Sequence, residues 1–143
     1  MMDARKYLES LADARERIKL NKERVQKLHE SLTTLSAPMD KEQVSHTKNV
    51  AVMADTIARI IDMEKEIDKQ TEALYGMQQQ ARIYLNMLKP MNARVLTLHY
   101  IDGMLYEDIG KEIGYASSTV FLIRKNAIQE LQDVFDSLGI ESP

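Results

Sequence analysis

The chain has 143 residues, enough for one domain, or for one small domain with an extended appendage. It is 44% hydrophobic and 29% charged, which provides core material and argues against global disorder, and it has no Cys, which excludes disulfides, thiolate chemistry and zinc–cysteine sites. The net charge of −3 is uneven: residues 1–89 carry 15 Lys/Arg and 14 Asp/Glu, whereas residues 90–143 carry 4 and 8, so the C-terminal part lacks the basic footprint usual in nucleic-acid binders.

The N-terminus leads straight into a segment with a charge every two or three residues, unlike the apolar stretch of a secretory signal. No run of about 18 apolar residues occurs, so no membrane partner is expected. The absence of Cys fits a reducing compartment, and the expected location is cytoplasmic.

Glycine and proline are few and clustered, and every element reads as helical. The first predicted helix covers residues 4–35. Leu11, Ile18, Val25 and Leu32 fall on one heptad position, and Ala14, Asn21, Leu28 and Leu35 fall three residues on. Such a seam must be covered by another helix. Between the seam residues lie Arg15, Glu16, Arg17, Lys19, Lys22, Glu23, Arg24 and Lys27. They read first as a solvated face, and the six basic side chains among them offer a nonspecific phosphate-contacting surface as the sharper alternative.

Ser36, Pro38 and Asp40 predict a break, followed by an aperiodic loop over residues 38–49. A second long helix is predicted from about Val50, with a stripe of Met53, Ile57, Ile60, Ile67, Leu74, Ala81, Leu85 and Leu88. Polar Glu64, Thr71 and Gln78 interrupt that stripe in its middle. Gly76 weakens the helix by about 1 kcal/mol relative to Ala, and either kinks it or lets another chain approach. The two helices are expected to fold back as an antiparallel, coiled-coil-like hairpin, with a homodimer formed through whatever stripe stays exposed.

Pro90 suits the first turn of a new helix, where its missing N–H costs nothing. Ala93, Val95, Leu96, Leu98 and Tyr100 give a short helix ending before Ile101, Asp102 and Gly103. The next runs from Tyr106 to Ile113, with Ile109 and Ile113 four apart and Glu107 placed to pair with Lys111. Gly110 leaves room for a closely crossing helix, and Gly114, Tyr115 and Ala116 form a tight turn. The last helix is predicted over residues 117–135, with Val120, Ile123, Ala127, Ile128 and Leu131 facing inward.

Two short helices joined by a Gly-containing turn are the pattern of a helix-turn-helix, whose second helix enters the DNA major groove. The run from Leu88 through Tyr100, the segment from Tyr106 to Gly114, and Ser118, Thr119 and Val120 together resemble, in order and spacing, the fourth region of bacterial sigma factors. The resemblance covers about 50 residues, roughly 85–135, and implies an all-α fold with a sigma-like helix-turn-helix bundle over residues 85–143 behind a helical hairpin over residues 1–84. The whole chain is similar to small phage and prophage transcriptional regulators.

On that resemblance the recognition helix would offer Ser117, Ser118, Thr119, Phe121 and Leu122 to base edges of double-stranded DNA, while Lys111, Arg124 and Lys125 would meet phosphates. RNA polymerase is a further possible partner. The sequence departs from the family at its helix caps, where Leu105 and Ala116 stand instead of Ser or Thr; Ser117 is a candidate substitute at the second. None of the groove-facing side chains can make the two-pronged contact that Arg makes to guanine.

No enzymatic constellation is legible: His29, His46 and His99 are dispersed, no Gly-rich phosphate loop occurs, and no cofactor, metal or small-molecule substrate is expected. The leading expectation is a non-enzymatic, DNA-binding transcriptional regulator. The alternatives are a phage DNA-packaging recognition subunit and a protein-interaction module that has lost DNA binding.

Overall fold

The computed structural model describes residues 1–35 and 43–142. Among these, every regular element is helical: α1 (Ala4–Leu35), α2 (Gln43–Leu85), α3 (Pro90–Leu96) running on into a π turn (Thr97–Ile101), α4 (Tyr106–Ile113) and α5 (Ser117–Leu138). Among the same residues no helix is long and apolar enough to cross a membrane. The all-α expectation is met. The predicted break at residues 36–40 lies outside the described residues, as does the side chain of His46.

Residues 43–49 of the loop expected over residues 38–49 are helical, because α2 starts at Gln43. No Gly or Pro occurs in residues 43–49. An aperiodic stretch without breakers can extend a helix that is stabilised further along.

The chain divides into two compact units, one built from residues 1–15 and 74–143 and the other from residues 16–73, so α1 and α2 contribute to both. In the second unit, Ile18 and Val25 of α1 and Ile60 and Ile67 of α2 are buried. Asn21 Nδ2 donates to Gln70 Oε1 at 3.0 Å, and His29 Nε2 lies 3.5 Å from Glu64 Oε1. Ascending positions on α1 thus meet descending positions on α2, and the two segments run antiparallel.

Most of the expected α2 stripe is observed, with Ile60, Ile67, Leu74, Ala81, Leu85 and Leu88 buried, but the positions between them are displaced by one residue. Ile57 is exposed, and Thr56 beside it is buried with its hydroxyl donating to the Val52 carbonyl at 2.8 Å. Glu64 and Thr71 are exposed too, while Met63 and Gln70 turn inward. Between the residues of the buried series the intervening position can fall three or four residues on, and the large side chain at 57 favoured the wrong step there. In the observed phase the middle of the stripe is closed: Met63 fills one position, and Gln70 is satisfied by Asn21.

The first unit is held by a core of Ala4, Leu8 and Leu11 from α1, Ala81 and Leu85 from α2, Leu96 and Tyr100, and Ala127, Leu131 and Phe135 from α5. Tyr7, Tyr84 and Phe135 meet edge-to-face at centroid distances of 5.1–6.0 Å, a favoured arrangement of ring quadrupoles. The Tyr7 hydroxyl is buried there without a hydrogen-bond partner among the described residues, and burial, helped by Tyr84, pushes its pKa up to about 12.

Polar side chains from α5 close the ends of the other helices. Glu130 accepts the Lys89 backbone N–H at 2.9 Å and the Asn92 amide at 3.0 Å, placing a carboxylate at the N-terminus of α3. Gln132 accepts from the Ala4 backbone N–H at 2.8 Å and donates to the Met2 carbonyl at 2.9 Å, capping α1.

Candidate nucleic-acid interface

Four links build the site, beginning with the turn between α4 and α5. Ile109, Val120 and Val95 form a fully buried cluster that joins α4, α5 and α3. α4 ends at Ile113, one turn after the buried Ile109, and Gly114 follows in the left-handed region at φ 81°, ψ 29°. The Gly110 carbonyl accepts both the Gly114 and the Tyr115 N–H at 2.9 Å. A Cβ at Gly110 would sit 2.5 Å from the Tyr115 carbonyl oxygen, so the tight turn requires glycine there. What presses on Gly110 is the turn itself, one step before the crossing helix that the sequence suggested.

Neither helix is capped by its own side chains. Leu105 and Ala116 take extended backbone at the N-cap positions without a side-chain bond, and Ser117 does not substitute for the missing cap. Glu107 and Lys111 form no ion pair among the described residues. Both Glu107 and Asp108 sit in the first turn of α4, where they favour the helix dipole.

On α5, Ser118, Phe121, Leu122 and Lys125 are exposed, while Ser117, Thr119 and Arg124 are half-buried; Lys111 of α4 is exposed. Phe121 keeps 49% of its surface open and Leu122 57%. All the sequence-derived candidates except Lys111 therefore share the N-terminal half of one helix, but two of them are not free. Phe121 packs against the Tyr106 ring at a centroid distance of 4.3 Å. Arg124 donates from Nε to the Tyr100 hydroxyl at 2.9 Å, and its guanidinium carbon lies 5.9 Å and 5.7 Å from the Tyr100 and Tyr106 ring centres.

The π turn carries the residues beneath them. His99 stacks on Tyr106 at 4.0 Å and meets Tyr100 edge-on at 4.7 Å. Its Nδ1 lies 2.9 Å from the Met104 carbonyl, which requires a proton on Nδ1. Burial lowers the His99 pKa, opposed by that hydrogen bond and reinforced by Arg124 and Arg15. Burial, followed by Tyr100, pushes the Tyr106 hydroxyl up to about 12.

Arg15 corrects one expectation directly. It does not belong to a solvated face: its Nη1 donates to the Tyr100 and Ile101 carbonyls at 3.0 and 3.2 Å, at the end of the π turn. Gly103, at φ 77°, makes room for it, since a Cβ there would come within 2.7 Å of the Arg15 guanidinium carbon. The remaining basic residues of α1 are exposed, and in the second unit Arg24 and Lys27 line an open groove with Arg59 and Asp62 over Leu28 and Met63. Sequence periodicity missed His99, Tyr100, Tyr106 and Arg15, because their association crosses a turn and a π segment that no repeat announces.

Residues 32–132, from the end of α1 to the second half of α5, match a family described as a protein of unknown function (DUF1492). The chain belongs to that family. The DUF1492 match takes in the whole cluster around Tyr106 except Arg15, and both helices that flank Gly114. Among curated proteins, ribonuclease J2 of Bacillus subtilis (strain 168) is 23% identical over 114 residues, covering 80% of this chain. The chain spans about a fifth of that relative's length (20%). No solved structure matches the chain. Among the described residues, no group of three or more His, Cys, Asp or Glu is placed to hold a metal ion.

Proposed function

We propose that this chain is a DNA-binding transcriptional regulator of phage or prophage type. In this reading residues 85–143 form a sigma-like helix-turn-helix behind a helical hairpin, and the chain acts as a homodimer, with RNA polymerase a further partner. The observation that carries the reading is the α4–turn–α5 geometry. A left-handed glycine at 114 joins two helices of 8 and 22 residues, Gly110 within the first leaves room for the turn, and the first turns of the longer one present Ser118, Phe121, Leu122 and Lys125 to solvent. In a helix-turn-helix those first turns are the part that meets base edges. Ser118 can bond several bases, and the open faces of Phe121 and Leu122 suit thymine methyl groups. Lys111, Lys125 and Arg124 would meet phosphates, which position the protein without specifying sequence.

One observation favours a different class, a protein-docking surface. Leu105, Tyr115, Phe121 and Leu122 are all about half exposed or more, and Glu107 and Asp108 stand in the first turn of α4. Exposed apolar side chains on a module that also carries these two carboxylates suit a basic protein segment better than a phosphate backbone.

Selection of bound duplexes from a random pool by the full-length chain, with its mass measured in solution, tests both readings. Enrichment of a two-half-site motif by a dimer is the expected result. A chain that enriches no sequence and retains no duplex at low salt would give the protein-docking reading the lead.

A further inference from the structure

The cluster on which α5 rests has a directional order. Arg15 fixes the backbone carbonyls of Tyr100 and Ile101. Tyr100 is 3% exposed, and its hydroxyl takes the Nε–H of Arg124. Tyr106 lies under both Arg124 and Phe121, and is itself backed by His99. Arg124 is thus held at Nε by the Tyr100 hydroxyl, with its guanidinium carbon 5.9 and 5.7 Å from the Tyr100 and Tyr106 ring centres. No carboxylate neutralises it among the described residues. With Nε taken by Tyr100 and the Tyr106 hydroxyl also bonded to the guanidinium, the remaining terminal N–H groups are left to donate.

We propose that Tyr100 is a positioning residue for DNA binding, presetting Arg124 so that its terminal N–H groups meet a duplex phosphate without first being ordered. The proposal rests on the DNA-binding reading of α5. Ordering a long, rotamer-rich side chain on binding is costly, and a side chain held beforehand avoids that cost. Arg15 takes part only through the Tyr100 main chain, and Gly103 takes part by admitting Arg15.

The test compares four full-length chains, wild type, Tyr100→Phe, Arg124→Ala and the double variant, titrated into a labelled random-sequence duplex pool at several salt concentrations. Tyr100→Phe removes one oxygen and keeps the ring. It is expected to weaken binding by about two- to tenfold for all sequences alike, the range for immobilising one such side chain, with the salt slope unchanged. Arg124→Ala is expected to make the slope shallower by about 0.9, the value for one phosphate contact. The double variant should bind no more weakly than Arg124→Ala alone, because Tyr100 acts only through Arg124.

Equal binding by wild type and Tyr100→Phe would overturn the proposal alone. So would the same fold-loss from Tyr100→Phe whether or not Arg124 is present, since that marks a general effect on the core. A wild-type chain that binds no duplex would overturn the DNA-binding reading, and the proposal with it.

Discussion

Two helical glycines make a sharp internal control. Gly110→Ala and Gly76→Ala are the same chemical change in the same backbone conformation, and intrinsic propensity favours Ala by about 1 kcal/mol at both. Around Gly76 nothing lies within 4 Å, so nothing opposes that gain. At Gly110 the new Cβ would meet the Tyr115 carbonyl oxygen at 2.5 Å, about an ångström short of ordinary contact, and the obstacle is backbone rather than a flexible side-chain end. Relief requires the Gly114–Ala116 turn to move, which strains two hydrogen bonds to the Gly110 carbonyl and the left-handed Gly114. Overpacking of this kind costs about 1–3 kcal/mol, and a backbone obstacle belongs at the upper end. The net expectation is a loss of about 1–2 kcal/mol for Gly110→Ala and a gain approaching 1 kcal/mol for Gly76→Ala. In a chain of this size each kcal/mol moves Tm by about 2–4 °C. Urea and thermal denaturation followed by circular dichroism would read both variants. Gly110→Ala at or above wild-type stability would refute the turn geometry, and Gly76→Ala below wild type would mean that something packs on that face of α2.

Further outcomes follow from other sites. Tyr7→Phe removes a buried hydroxyl that has no partner among the described residues, and should raise stability by about 1 kcal/mol or more, since an unsatisfied buried group costs about 1–3; a loss in urea midpoint would show that the hydroxyl is bonded in solution. His99 has a folded-state pKa below its ordinary 6.5, so the folded chain resists protonation more than the unfolded one does. Its contribution is therefore fully present above pH 6.5 and declines as pH falls from 6.5 through the lower folded value. Urea midpoints of wild type and His99→Gln at pH 7.5 and 5.5 should differ in their pH response, with wild type losing more on acidification; equal responses would remove His99 from the account. Replacing Asn21 and Gln70 together by Leu should stabilise the chain while broadening its distribution of assembly states, because a polar seam pair specifies register at a cost in stability. Light scattering after size exclusion would test this, and a single unchanged species with unchanged stability would deny the pair that role.

The sequence carried the helical character, the short helices around Gly103 and Gly114, and the inward face of α5 with some accuracy. Periodicity and glycine chemistry are local signals, and they report local structure. It misjudged what depends on tertiary choice. The main buried series of α2 was read correctly, but at the stripe position before Ile60 a threonine that satisfies its own hydroxyl on Val52 faces inward instead of the expected isoleucine at 57. Arg15 looked like any other charge on α1, because nothing in a heptad marks the side chain that will reach the end of a π turn. The π turn itself has no signature in the sequence. The candidate residues on α5 were legible by register, but their restraint by Tyr100 and Tyr106 was not, since it depends on rings brought together across Gly103.

The central claim is that the N-terminal half of α5 meets duplex DNA. The most direct measurement is the salt dependence of affinity for a labelled duplex pool, for wild type against the Arg124→Ala/Lys125→Ala double variant. With Lys111, Arg124 and Lys125 as the phosphate contacts, one module should give a log–log slope near −3, at about −0.9 per phosphate, and a dimer about twice that. The double variant should bind every sequence more weakly, with its slope reduced by about two contacts per module. Equal affinity and equal slope for the two proteins would contradict the claim and remove α5 from the DNA.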